Sequence, residues 1–515
     1  MKKIRLHARL FTGSLLLSIL LFSRCEKIMQ VDLNTSMNAG DHYSSTNEVY
    51  GAFIGLSASF VKVTEQGIFL AGLKGDLMRP TDYAPEAFWR IFRYEANNED
   101  TYTGSGLYYD IVINCNDFLR RVIKYNQDLP GNIPESEYRG MISSAIKYKV
   151  WSLLTIAQFW GEASVYNTNL EEINEQAMVQ LDLNDLPAYL IGYMFDGEDG
   201  VNAFQALDWK NILSDPNVDW SGSDLNADIL LGELRLWSGD YLAAINNYIS
   251  GLVSVSATLT TGYFSIFTNA PNLLKSEVFT VAPFNATYHQ TNYLNKYFAY
   301  SYYLAPTSYA IELFDKQTYS NYSPGDAVRK NATYIQASLN HEEVWAIIKY
   351  LNNTNVPIYR AGQIYLNIAE AYAYLGRFEE SLAFLDGGLK NYWTGATFRE
   401  PFEGFSSTLQ SSNGVRGRAN LLPLDPEEIF ASSSTRQDSI RALCGLIADE
   451  TTLELAYEGK RWPTLVRVAR NLKDPSFLAD RVVVKFDEAE RGHYRQLLTD
   501  PANWYIKDEK RNILK

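Results

Sequence analysis

The chain has 515 residues, with 46 basic against 60 acidic side chains and a net charge of −14. That balance excludes the basic patch demanded by nucleic-acid phosphates, and the length is ample to bury a core. Three cysteines are too few for a disulfide-stapled secreted domain. The first element is a leader: Lys2, Lys3, Arg5 and Arg9 precede an apolar run from Leu10 to Phe22 that is too short to span a bilayer. It stops at Ser23-Arg24-Cys25, so residues 1–24 read as an export signal and 25–515 as the mature protein, with Cys25 accepting a lipid anchor. Cys115 and Cys444 read as small buried hydrophobes, although with Cys25 acylated they are free to pair with each other. No later segment is long and apolar enough to cross a membrane.

Helical periodicity governs the mature chain, and several segments share one grammar of helix, glycine turn and helix. Within 226–254 the order is Leu230-Leu231-Gly232-x-Leu234-x-Leu236, the turn Ser238-Gly239-Asp240-Tyr241, then Ala243-Ala244, Tyr248 and Gly251-Leu252. The segment 359–390 repeats this plan. With Gly239 set on Gly376, Gly232 falls on Ala369, Tyr241 on Phe378, Ala244 on Ser381 and Gly251 on Gly388. Small residues recur where two helices must touch, the mark of tetratricopeptide-type hairpins. A third, partial copy is expected near 145–161, with Gly161 as its turn. The expected fold class is therefore mainly α: tetratricopeptide-like helical hairpins forming a superhelical scaffold in a single domain.

The stretches 67–106, 161–217, 258–305 and 391–425 carry Gly, Pro, Asp, Thr, Asn and Tyr breakers and read as loop-rich insertions. Long loops in a compact domain are usually functional. Two of them are crowded with aromatic rings: Arg79 to Trp89, and the run with Tyr288, Tyr293, Tyr297, Tyr300, Tyr302 and Tyr303 ahead of Pro306. Such rings either seal the loops onto the helical body or offer flat faces to ligands such as sugars. No catalytic residue, cofactor or metal is expected. His7, His42, His289, His341 and His493 lack metal-ligand spacing, and no phosphate-binding loop, dinucleotide fingerprint or nucleophile elbow occurs. Asp76, Asp82 and Glu86 are the carboxylates a glycosidase would have to use. Towards the end, Asp425-Pro426 starts a helix, and Glu450, Glu454 and Glu458 share one helical stripe. Gly459 closes that helix, and Glu458 stands where it can pair with Arg461 across the junction.

Seven features come in a fixed order: the leader ending at Cys25; Leu107 to Asp117; the helix and glycine at 145–161; the hairpin at 226–252; Leu304-Ala305-Pro306-Thr307-Ser308 with Glu312-Leu313-Phe314 and Asp326 to Arg329; Arg360 to Gly376 with Leu366-Asn367-Ile368-Ala369-Glu370-Ala371; and Val415-Arg416-Gly417-Arg418-Ala419 followed by Leu455-Ala456-Tyr457-Glu458-Gly459-Lys460-Arg461-Trp462. In this order they resemble the SusD/RagB family of Bacteroidetes outer-membrane lipoproteins. The sequence departs from the family at Phe22 and Arg24 of the lipid-attachment signal, and at Pro463-Thr464. The resemblance implies a lipid-anchored protein on the extracellular face of the outer membrane, held through Cys25. It also implies capture of oligosaccharides for delivery to a SusC-like TonB-dependent transporter, with peptides as the alternative ligand and a protein-binding scaffold as the alternative role. Carried onto this sequence by region, the ligand site falls on Tyr83, Trp89, Asn97, Tyr288, Asn292, Tyr293 and Tyr297. Rings stack on sugars there, and the two Asn side chains hydrogen-bond their hydroxyls.

Overall fold

The computed structural model describes residues 43–166, 178–212, 220–255, 257, 259, 262–267, 277–283, 293–350, 355–389 and 413–507. The leader and Cys25, together with parts of the stretch 258–305 and most of 391–425, lie outside them. From Thr46 onward the chain clusters as one unit. It begins with α1 (Thr46–Lys62) and α2 (Thr64–Lys74), followed by the short strand β1 (Met78–Pro80) and α3 (Glu86–Phe92). The stretch 67–106 is thus partly helical.

α4 (Gly106–Asp128) buries Tyr108, Ile111, Val112, Cys115, Leu119 and Val122, the three-and-four spacing of a helix with one apolar face. That face packs on α5 (Glu135–Trp160), which is buried along most of its length. Phe60 of α1 stacks on Tyr148 of α5 with ring centroids 4.4 Å apart, and Phe53 meets Phe118 at 5.6 Å.

Gly161 ends α5 in the left-handed region at φ 90°, but no return helix comes after it. The chain instead forms β2 (Glu162–Val165), paired antiparallel with β3 (Val179–Asp182). The expected hairpin at 145–161 is therefore absent, and α5 has its partner upstream, in α4. The stretch 161–217 also holds a helix, α6 (Leu186–Asp196). Its Pro187 lies in the first turn, where no backbone N–H is needed, and a Cβ on its Gly192 would meet open space.

The other two hairpins are present. In the first, α7 (Ala227–Ser238) is capped by Asn226, whose side chain accepts from Ile229 N at 3.1 Å. Gly239 (φ 82°) turns the chain into α8 (Tyr241–Ser254). A Cβ on Gly232 would come within 2.7 Å of the Tyr248 ring, and one on Gly251 within 2.7 Å of Ile229, so glycine at both positions is what lets the helices close.

β4 (Val278–Pro283) and β5 (Leu304–Pro306) come next, then α9 (Ser308–Asp315), α10 (Ala327–Thr333), the hairpin β6 (Tyr334–Leu339) with β7 (Glu342–Ile347), and β8 (Asn355–Arg360). β8 pairs antiparallel with β4 and leads into the second helical hairpin, α11 (Ala361–Tyr374), Gly376 (φ 68°) and α12 (Phe378–Leu382). Ser381 Oγ donates to Ala369 O at 2.7 Å across this pair. Here the helix loosens to π geometry at Ala383–Gly387 and ends at Gly388, whereas α8 runs on through the aligned Gly251. The hairpins stack: Tyr241 lies on Tyr374 with centroids 4.6 Å apart, and Asn367 Nδ2 donates to Tyr248 Oη at 3.0 Å.

The layer continues through α13 (Val415–Arg418), α14 (Pro426–Phe430), α15 (Arg436–Glu454), α16 (Arg461–Leu472), α17 (Pro475–Val482) and α18 (Glu488–Leu498). Asp425 caps α14 as its sequence suggests, with Pro426 in the first turn. Among the described residues no helix is long and apolar enough to cross a membrane. Cys115 and Cys444 are both buried and free rather than paired.

Four of the stretches that carry the family resemblance meet in one buried charge network. Arg360, at the end of β8, donates to Glu277 at 3.2 Å, to both Glu458 oxygens at 2.6 and 2.9 Å, and to Glu454. Arg418 reaches both Glu277 oxygens at 2.7 and 2.9 Å and also Glu454. Arg329 joins Asp326 at 2.6 Å, Glu454 at 3.2 Å and Glu450. Lys349 donates to Glu458 at 2.6 Å. None of these side chains is more than 3% exposed. Burial alone would raise the Glu454 pKa, but Arg418, Arg360 and Arg329 outweigh it and hold the carboxyl at about 2.

This geometry corrects the expected pairing at the α15–α16 junction. α15 stops at Glu454 rather than Gly459, so Glu458 lies in the turn and faces Arg360 and Lys349. Arg461 instead forks onto Asp76, with its Nε 2.8 Å from Oδ1 and its Nη2 2.5 Å from Oδ2.

Candidate functional site

Two of the aromatic loops are brought together by a short sheet. β1 pairs antiparallel with β5, setting Met78 opposite Pro306 and Pro80 opposite Leu304. The pairing runs on past the strands, since Thr81 N donates to Tyr303 O at 3.0 Å and Thr81 Oγ donates to Tyr302 O. Tyr302 is held in the left-handed region at φ 47°, a strained conformation for a bulky residue. Three anchors hold it there: the two contacts from Thr81 to residues 302 and 303, and its own hydroxyl donating to Trp345 O at 3.0 Å.

On this frame stands a row of rings. A helical turn, Tyr293–Asn295, continues as π-helical residues Lys296–Tyr300, so Tyr293 and Tyr297 share a face. They stack with centroids 6.3 Å apart at 24°, and Tyr297 stacks on Tyr303 at 6.1 Å and 26°. Phe88 meets Tyr297 edge-on at 5.6 Å and lies flat on Tyr102 at 4.5 Å. Tyr293 is 46% exposed and Tyr300 78%, while Phe88 is fully buried. The row therefore grades from a buried base to a solvent-facing edge. Tyr83, 51% exposed, accepts from Asn340 Nδ2 at 2.6 Å at the tip of the β6–β7 hairpin.

Beneath the row lies Glu65 of α2, which is 9% exposed and accepts from the backbone N–H groups of Tyr293 and Leu294. Desolvation outweighs those two hydrogen bonds and pushes its pKa up to about 7.

The residues expected to bind ligand are only partly brought together. Tyr293 and Tyr297 lie in the row, and Tyr83 belongs to the loop that the strand pairing places beside it. Trp89 is half-buried and packs within its own helix, edge-on to Phe92 at 6.0 Å and under the Arg93 guanidinium at 5.1 Å. The Asn97 side chain accepts from Glu99 N at 3.0 Å, shaping a turn. Tyr288 and Asn292 lie outside the described residues. Sequence reasoning missed Phe88, Tyr102 and Glu65 as parts of this site. A buried ring or carboxylate under a loop carries no periodic signal.

The three carboxylates that a glycosidase would need do not form a pair. Asp76 is fully buried on Arg461, Asp82 is exposed, and Glu86 makes an exposed contact with Arg93 at 3.3 Å. Among the described residues no group of three His, Cys, Asp or Glu side chains could hold a metal ion.

Residues 279–513 match the model of the SusD family. The described architecture agrees with solved structures over nearly its whole length. A SusD superfamily protein from Bacteroides vulgatus superposes with a TM-score of 0.66 at 14% identity, covering 90% of this chain and 96% of that one. This is the SusD fold. Surface glycan-binding protein A from Bacteroides uniformis gives 0.62 at 16% identity, with 91% and 97% covered. A SusD superfamily protein from Bacteroides thetaiotaomicron gives 0.61 at 15%, with 92% and 97% covered. No curated protein matches the chain. Within the SusD fold, the stretches at 326–329, 360, 416–418 and 450–458 have a physical role of their own: they build the buried network.

Proposed function

We propose that the protein captures oligosaccharides at the cell surface and passes them to a SusC-like TonB-dependent transporter. In this reading it is anchored to the outer membrane through Cys25 and does no chemistry on its ligand. The observation that carries the reading is the graded row of Tyr293, Tyr297 and Tyr303, joined to the Tyr83 loop by the β1–β5 pairing. Flat, preordered rings suit the apolar faces of sugars and lose little rotamer freedom on binding. The name of the Bacteroides uniformis neighbour points the same way. Tyr83, Tyr293 and Tyr297 stack on sugar in this proposal, with Trp89, Asn97, Tyr288 and Asn292 at the flanks.

Stacking with a few neutral hydrogen bonds yields affinities in the micromolar to millimolar range, roughly −8 to −4 kcal/mol, which suits capture and later release. Calorimetry against neutral oligosaccharide and peptide libraries tests this. Saturable binding of an oligosaccharide, abolished in the Tyr293→Ala, Tyr297→Ala double variant with helicity unchanged, is the expected result. Saturation by peptides alone overturns the sugar assignment, and product release from polysaccharide overturns the non-catalytic one.

A further inference from the structure

A second concavity shares no residue with the aromatic row. It is a groove of about 530 Å³ between the end of α7, the end of α16 and the segment after α18. By contrast, a cavity under α2 and α5 holds about 60 Å³, room for ordered water and not for a sugar ring.

The groove is lined by Trp237, Arg470, Asn471, Lys473, Trp504 and Tyr505, among others. Trp237 is only 5% exposed, and its indole N–H and the Asn471 amide nitrogen are sealed from solvent with no hydrogen-bond partner among the described residues.

Its charge is also unusual for this chain. Arg470 donates to Asn184 Oδ1 at 2.7 Å and to the Tyr505 hydroxyl, and Lys473, in the left-handed region at φ 53°, stands exposed. Among the described residues no carboxylate lines the groove, in a chain whose net charge is −14. Of the acids adjacent in sequence, Asp240 caps α8, Asp474 caps α17 and pairs with Arg441 at 2.7 Å, and Asp500 accepts from Ala502 N. Asp185 is exposed, and Asp182, held by Asn184, stands close enough to act on the Tyr505 hydroxyl.

We propose that this groove binds an acidic sugar, a uronic acid or an oligosaccharide bearing one. Its carboxylate lies towards Arg470 and Lys473, and its flat face meets the aromatic walls. The proposal rests on reading the protein as an oligosaccharide binder and is independent of the aromatic row.

The test is NMR of the full chain labelled with 15N at tryptophan indoles, titrated with D-glucuronate, D-galacturonate and D-glucose. The indole resonance assigned to Trp237 by its loss in Trp237→Phe is expected to shift saturably with the uronates and not with glucose. Arg470→Gln combined with Lys473→Gln, both outside the core, should weaken that response at least about tenfold. The Tyr293→Ala, Tyr297→Ala variant should leave it unchanged. No shift at Trp237, an equal shift with glucose, or a shift given only by the free carboxylate of an N-acetylated dipeptide overturns the proposal. A protein that answers to uronate but to no neutral oligosaccharide rejects the aromatic-row reading and keeps this one, and the reverse result rejects this one alone.

Discussion

Arg360 illustrates how much a single buried cation can hold. Its guanidinium serves three carboxylates and the Glu454 carbonyl, and each carboxylate has been taken out of water. Replacing the arginine by methionine leaves charge without countercharge, which costs about 3–5 kcal/mol when one partner of a buried pair is removed. Urea denaturation of Arg360→Met should show a loss of that size, and a change under about 1 kcal/mol would show that the network is dispensable. Glu454 sets the sign of the pH dependence. Its folded pKa lies near 2, below the ordinary 4.5, so its contribution is complete above about pH 4.5 and fades as pH falls towards 2. Glu454→Gln should therefore be less stable at neutral pH and show a flatter acid limb in thermal melts. That Glu450 and Glu454 share one helical stripe was legible in the sequence; that Glu458 lies in the turn beyond the helix, and which partners the three take, was not. Local spacing offered Arg461 to Glu458, but the structure supplies Arg360 from 98 residues upstream.

At the scale of the element, glycine has opposite meanings on different helices. On α7 a Cβ at Gly232 strikes the Tyr248 ring, so Gly232→Ala should destabilise by about 1–3 kcal/mol through overpacking. On α1 a Cβ at Gly55 meets nothing within 4 Å, so Gly55→Ala should gain about 0.5–1 kcal/mol. Chemical denaturation of the two variants should give opposite signs. The helical turn bearing Tyr293 carries a pH effect of its own. Glu65 has its pKa raised to about 7, so the unfolded chain releases its proton first and stability falls as pH rises from about 4.5 to 7. Glu65→Gln keeps an acceptor for the Tyr293 N–H, and it should melt higher than the parent at pH 8 while matching it at pH 4. The two hairpins were legible because small residues recur at one spacing in both. The false hairpin at 145–161 failed because α5 found its partner in α4, a helix that precedes it. Helix α6 was hidden by a proline and a glycine that its geometry tolerates.

For the whole molecule, the mainly helical SusD fold could be read from the order of weak motifs. The proposed binding surface was only half readable, because its frame forms where β1 meets β5 and no local pattern announces that pairing. The loops were visible as aromatic-rich; which rings would stack on which was not. Anchoring is the remaining expectation at this scale. Incorporation of a tagged fatty acid into the wild type and not into Cys25→Ser is the expected outcome, and an unlabelled wild type would overturn the anchoring at Cys25.

The fork between Asp76 and Arg461 spans 385 residues of chain. Until Arg461 has left the ribosome, the aspartate just ahead of β1 has no cation to neutralise it in the interior. The first strand of the aromatic frame consequently cannot settle early, and a chain cut short before Arg461 should lose the frame even though Tyr83, Tyr293 and Tyr297 are all present. The bridge ties the frame of the proposed binding surface to a residue near the end of the chain, so that frame is complete only once Arg461 has been made.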